Sequence, residues 1–193
     1  MYSKLSNLIL GFHGCSNETF RKVLYEQNPL KPSENSYDWL GHGIYFWENN
    51  YDRAVEWAKS KHQNDFGVIG AVIDLGYCLN LSDSKSSKIL ANGYKILEAR
   101  LGADNLPQNH LKREDVTLLR DLDCAVILQI HLYNSEKGNK PFDSVKGLFI
   151  EGKTIYPGSG FHEKTHIQIC IRNPNCIKGY FSPLTADESY LMP

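Results

Sequence analysis

The feature that most limits what this chain can fold into is the run Phe66-Gly67-Val68-Ile69-Gly70-Ala71-Val72-Ile73-Asp74-Leu75, mostly apolar and bounded by Gly76. It reads as a buried strand, so the fold needs a sheet around it. The stretch 6–12 ends in Gly11 and reads as a second strand running into a His13-Gly14 turn. Ser144 to Ile150 reads as a third, and His166 to Ile171 is the clearest alternating strand, with Cys176 to Phe181 expected to pair beside it. Leu79 and Leu81 mark a shorter extended piece.

Helices are expected between these strands. Ser16 is a cap for one that places Phe20, Val23 and Leu24 on one face. Asn50 is a cap for a second, with Ala54, Trp57 and Ala58 on one face and Lys59 and Lys61 near its C-terminal end. Ile44 to Trp47 is expected to be an entry to that helix, not an element of its own. Helical spacing of Leu90, Tyr94, Leu97 and Leu101 marks a helix over about 86–101, and that of Leu118, Leu119, Leu122, Val126 and Ile130 another over about 115–133. Residues 28–43, broken by Pro29 and Pro32, form a loop suited to the rim of a cleft. Residues 134–143 read as polar and flexible, 152–160 as a glycine-marked loop, and the tail after Ser182 as a surface arm.

Strands that do not alternate regularly with helices define an α+β class, and 193 residues suit one domain over 1–193. A doubly wound nucleotide fold does not fit: GxGxxG is absent after the first strand, and no GxxxxGK occurs. The 21 basic and 22 acidic side chains nearly cancel, so no global field draws the chain to nucleic acid or a membrane. Five scattered cysteines, with no CxxC and no zinc-site spacing, are expected to be free thiols in a reducing compartment. With no long apolar leader and no run of membrane-spanning length, the expectation is a cytoplasmic protein without a metal.

Two short segments carry the chemistry: Gly11-Phe12-His13-Gly14-Cys15 and Gly41-His42-Gly43-Ile44-Tyr45-Phe46. Thr165-His166-Ile167-Gln168-Ile169-Cys170-Ile171 is a third side for the same pocket. Together they resemble the ADP-ribosyltransferase family, in its diphtheria-toxin and poly(ADP-ribose) polymerase branch, with glutamine in place of the third residue of a His-Tyr-Glu motif. The resemblance implies a split mixed or antiparallel β-core, helices at the periphery and an NAD cleft. It implies that His13 hydrogen-bonds a ribose hydroxyl, that the Gly14 backbone meets the nicotinamide amide, and that Tyr45 stacks on the nicotinamide. Cys15 stands where Ser or Thr is usual, and Arg53 where a serine often contacts the amide. Tyr51 and Trp47 are candidates to line the adenine or nicotinamide side. His42 and His166 are expected to be structural or solvated.

Gln168 keeps hydrogen-bonding power toward ribose but not the negative charge that steadies an oxocarbenium-like centre. Glu151 and Glu163 are alternative carboxylates, and 151–165 is the candidate acceptor-facing segment. The resemblance therefore implies a mono-ADP-ribosyltransferase moving ADP-ribose from NAD to a protein or nucleic acid, with His13, Tyr45 and Gln168 as catalytic residues and Gly14, Cys15, Tyr51 and Arg53 as further NAD contacts. An NAD glycohydrolase and a binding module that has lost chemistry are the alternatives. An RNA 2′-phosphotransferase, of similar fold, is disfavoured because only Arg53 offers a cation near the motifs.

Overall fold

In the computed structural model, which describes residues 8–112, 117–185 and 189–190, the 66–75 run becomes β3 (Phe66–Asp74). It lies between β1 (Leu8–Ser16) and β9 (Ile177–Phe181) and buries Val68, Ile69, Ala71 and Ile73 on its two faces. The remaining elements are α1 (Asn17–Leu24), β2 (Ile44–Glu48), α2 (Tyr51–His62), β4 (Cys78–Asn80), α3 (Ser84–Leu101), β5 (Asn109–Lys112), β6 (Thr117–Arg120), α4 (Asp121–Glu136), β7 (Ser144–Phe149) and β8 (His166–Ile171). Seven strands form one sheet in the order β4-β7-β8-β2-β1-β3-β9. All its neighbours are antiparallel except β4 and β7. The architecture is mixed α+β, with a mostly antiparallel sheet and four helices among the described residues.

Alternation along the strands builds two faces. One carries Cys15, Ile44, Phe46, Ile69, Ile73, Ile169 and Ile171, closed by Val23 and Phe20 of α1. The other is divided. Over β1, β2 and β3 it packs Phe12, Trp47 and Val68 against Ala54 and Val55 of α2. Over β4, β7 and β8 it packs Leu79, Val145 and Cys170 against Leu97 of α3 and Val126, Ile127 and Ile130 of α4. The helices cover the two ends of this face and leave between them a strip of strand residues, here called the groove, that includes Gln168.

Several expectations change. Ile44–Glu48 is a strand in its own right, because it has a partner on each side: Phe12 opposite Trp47 on one, and Ile169 opposite Phe46 on the other. The helix expected over 115–133 starts at Asp121, and Thr117–Arg120 instead pairs with Asn109–Lys112 as a hairpin; residues 115 and 116 lie outside the described ones. Asn109 Oδ1 accepts from the Leu122 and Asp123 N–H groups and so sets the start of α4. That helix runs on to Glu136, into the stretch read as flexible. β1 continues through His13 and Gly14 to Ser16 with no turn there. β9 pairs with β3, at the far edge from β8. Among the described residues no helix is long and apolar enough to cross a membrane.

Three histidines are held below their ordinary pKa, each chiefly by burial: His13, His166 and His131, the last pushed down to about 3 with help from the nearby Arg172 charge. All three favour the neutral ring when folded, so the unfolded chain binds more protons below the ordinary value of 6.5. Their contribution is complete above that value and is lost as pH falls toward the folded-state values. The expected cost is about 1.4 kcal/mol per pH unit for each titrating ring. Urea midpoints between about pH 7 and pH 5 should fall accordingly. Midpoints that stay level across that interval contradict this assignment.

Candidate functional site

The sheet opens at the His13 segment. β1 and β2 pair through Gly11–Glu48 and Phe12–Trp47, and the ladder then stops. His13 spans the opening, its Nδ1 donating to the Tyr45 carbonyl at 2.8 Å. A carbonyl only accepts, so the proton is on Nδ1. In the neutral ring favoured by burial, Nε2 is then an acceptor. The His13 ring lies beside Phe46, with centroids 5.8 Å apart. By alternation that is the face opposite to Tyr45 and Gln168.

Gly14 shows why glycine stands next to His13. A Cβ there would come within 2.5 Å of the Ala54 carbonyl oxygen and 3.0 Å of the Ala58 methyl. The missing side chain lets α2 sit directly on β1. Cys15 turns into the core, where its thiol donates to the Gly67 carbonyl at 3.7 Å and burial pushes its pKa up to about 11. Its side chain is therefore spent in packing and does not line the groove.

Tyr45 lies opposite Cys170 on β8. Its hydroxyl accepts from the Leu40 N–H at 3.0 Å and donates to the Gly41 carbonyl at 2.8 Å. Burial raises the pKa of this phenol. Tyr45 thus anchors the 28–43 loop, which Ser33 and Gly43 close with a backbone bridge. Gly41 has φ +80°, a left-handed conformation that suits glycine. Tyr45→Phe leaves the Leu40 N–H unpaired and should cost about 1–3 kcal/mol of stability. A Tyr45→Phe protein with an unchanged denaturation midpoint would remove this anchoring role.

Gln168 lies opposite Trp47, and its Oε1 accepts from Trp39 Nε1 at 2.6 Å. Indole N–H is only a donor, so this contact settles which end of the amide is oxygen. The NH₂ end makes no hydrogen bond to the described residues. Trp39 was missed in the sequence, although a lone indole in a loop of Pro, Ser and Asn is the kind of residue that fastens such a loop.

Arg53 starts α2, where Asn50 Oδ1 accepts its backbone N–H at 3.1 Å. Its side chain is only 11% exposed and holds Glu151 at 2.7 Å, with Glu56 as a second partner. This pair ties α2 to the segment after β7. Tyr51 stands edge-on to Phe12, at 5.7 Å between centroids, and is half exposed. His166 is 4% exposed and packs between Trp47 and Phe149. Its Nδ1 donates to the Lys164 carbonyl at 2.6 Å, which makes Nε2 an acceptor. Trp47 Nε1, Arg53 Nε and His166 Nε2 are buried without a hydrogen-bond partner. Such groups mark a place where a polar ligand or water completes the structure.

The strand order therefore brings His13, Tyr45 and Gln168 onto three adjacent strands. Gln168, Trp47, Arg53 and Glu151 gather around the groove, Tyr45 supports its rim from within, and His13 closes the opening from the opposite face. Glu163 stays in the 151–165 segment, where its N–H donates to the Lys153 carbonyl at 3.0 Å.

No family model matches the chain. It is 28% identical over 195 residues to an uncharacterized protein of Methanocaldococcus jannaschii, across 86% of this chain and 83% of that one. It is also 35% identical over 82 residues to a glucose-1-phosphate thymidylyltransferase of Neisseria meningitidis, across 42% of this chain and 26% of that enzyme. No solved structure matches.

Proposed function

We propose that the protein binds NAD and transfers one ADP-ribose unit to a macromolecular acceptor with release of nicotinamide. The observation that carries this reading is the opening between β1 and β2, bridged by a neutral His13 whose Nε2 is an acceptor. On the opposite face of the sheet, Gln168 of β8 has amide donors that no described residue uses. A split β-core holding a dinucleotide at its opening is what the family resemblance implies.

The chain's own groups suit that chemistry. His13 Nε2 accepts from a ribose hydroxyl, and the Tyr45 carbonyl keeps the ring in the required tautomer. The Gln168 NH₂ donates to a ribose oxygen. Trp47 and Arg53 supply the buried N–H groups left without partners. Glu151, fixed by Arg53, is the carboxylate in the groove, placed to oppose positive charge as the nicotinamide bond breaks. The amide of Gln168 in place of a carboxylate favours a single transfer over chain elongation.

The acceptor side is assigned to 151–165. Thr154 bridges to His162, the Ile155 N–H donates to the Phe161 carbonyl at 3.0 Å, and Ile155, Tyr156 and Phe161 are exposed. A preformed loop with exposed apolar side chains suits docking of a macromolecule. Cys15, Cys124, Cys170 and Cys176 are free thiols, which favours a cytoplasmic location.

One observation favours a second reading. β8 carries an amide where the family has a carboxylate, and Glu151 is already paired, so a module that binds NAD or ADP-ribose without turnover is the alternative. Labelled NAD incubated with the protein and cell extract separates these. Label on a macromolecule supports transfer. Free ADP-ribose matching nicotinamide release supports a glycohydrolase, and binding without release supports the module.

A further inference from the structure

A second site lies beside the groove, on the far side of Trp39. Arg120 ends β6 and enters α4, and its guanidinium lies against two rings, 4.8 Å from Trp39 and 4.6 Å from Phe149, whose centroids are 5.2 Å apart. Both rings therefore stand on one side of the cation, and their contact orients its edge of N–H groups. That edge makes no hydrogen bond to any described residue. The nearest carboxylate, Asp123, stands 3.7 Å away, and Asp123 itself accepts from the Asn109 amide at 3.2 Å. Arg120 Nε is buried and unpartnered, and the side chain as a whole is 18% exposed.

The same guanidinium lines a cavity of about 370 Å³ with Trp39, Leu90, Tyr94, Val126 and Ile127. That volume falls in the range of small-ligand pockets. Most of its walls are aromatic and aliphatic; its charged lining groups are Arg120 and Asp123, whose 3.7 Å ion pair is too long for a hydrogen bond and leaves the Arg120 edge able to meet an oxyanion at two points.

We propose that this cavity binds a planar ring carrying a phosphate, a ligand of mononucleotide size, with the Arg120 edge on the phosphate and the ring against the Trp39 and Tyr94 walls. The ligand needs both parts, because the cavity alone offers apolar contact and the arginine alone offers charge. Trp39 is the wall shared with the groove, since its indole N–H holds Gln168. Occupancy of the cavity therefore steadies Trp39 and, through it, the Gln168 amide. The site does not require that NAD be a substrate.

Calorimetric titration of the full chain with AMP, adenosine and inorganic phosphate tests this. AMP is expected to bind, and adenosine and phosphate to bind at least about tenfold more weakly. Arg120→Lys keeps the charge but not the two-point edge, and should weaken AMP by about tenfold or more. Arg120→Met should abolish binding. If Arg120→Met unfolds, the lysine variant carries the test. No heat with AMP overturns the proposal. Wild-type AMP affinity in Arg120→Lys moves the ligand out of the cavity and overturns it as well. An inactive protein toward NAD that still binds AMP through Arg120 separates this site from the transferase reading.

Discussion

Replacing His13 with alanine is expected to slow nicotinamide release from NAD by about 10²–10⁴-fold, the scale of losing a positioned polar group in a transition state. The ring has two jobs in the structure. Its Nδ1 closes the opening between β1 and β2, and its Nε2 is the acceptor of the neutral ring. His13→Asn separates them, because an asparagine amide reproduces the donor to the Tyr45 carbonyl and offers nothing at the Nε2 position. A folded His13→Asn protein should therefore be nearly as slow as the alanine variant. Wild-type rates in folded proteins of both kinds would take His13 out of the site.

The Gln168 series is the second large effect. Gln168→Ala removes the amide donors and frees the Trp39 N–H, and should lower the rate by about 10–10³-fold. Gln168→Glu keeps an acceptor for Trp39 and brings a carboxylate to β8. It is expected to retain NAD binding and to turn over faster than the alanine variant. Partial burial of the new charge limits that gain. Trp39→Phe keeps the ring against Arg120 and Phe149 but releases the amide, so it should slow wild type and have little further effect in a Gln168→Ala background. Equal rates in wild type, Gln168→Ala and Gln168→Glu would move the reacting centre toward Glu151.

How much of this was legible depended on the range of the forces involved. The 66–75 run announced its strand because burial on both faces leaves a continuous apolar signature. The caps at Ser16 and Asn50 were readable because capping is local: Ser16 accepts the Thr19 N–H and Asn50 the Arg53 N–H. Ile44–Glu48 was misjudged because five residues carry too little pattern, and its strand character comes from two partners far apart in the sequence. The 115–133 region failed differently. Leucines 118 and 119 fit helical spacing, but Thr117–Arg120 found a strand partner in Asn109–Lys112. Tertiary pairing overrode local periodicity.

The candidate site was legible in the same uneven way. His13, Tyr45 and Gln168 were named from short motifs, and the strand order does set their backbones side by side. Which way each side chain faces could not be read, since it follows from register. Tyr45 was expected to stack on a ligand, whereas its hydroxyl is committed to Leu40 and Gly41. Cys15 was a candidate contact, whereas alternation turns it into the core. The Trp39–Gln168 bond joins residues 129 apart, and no local pattern announces such a contact.

The most direct test of the central claim is a paired measurement on the wild-type chain: NAD binding by calorimetry, and nicotinamide release with and without cell extract. The account expects saturable NAD binding, release that rises when extract supplies an acceptor, and one ADP-ribose unit per modified site. A folded protein that neither binds NAD nor releases nicotinamide contradicts it.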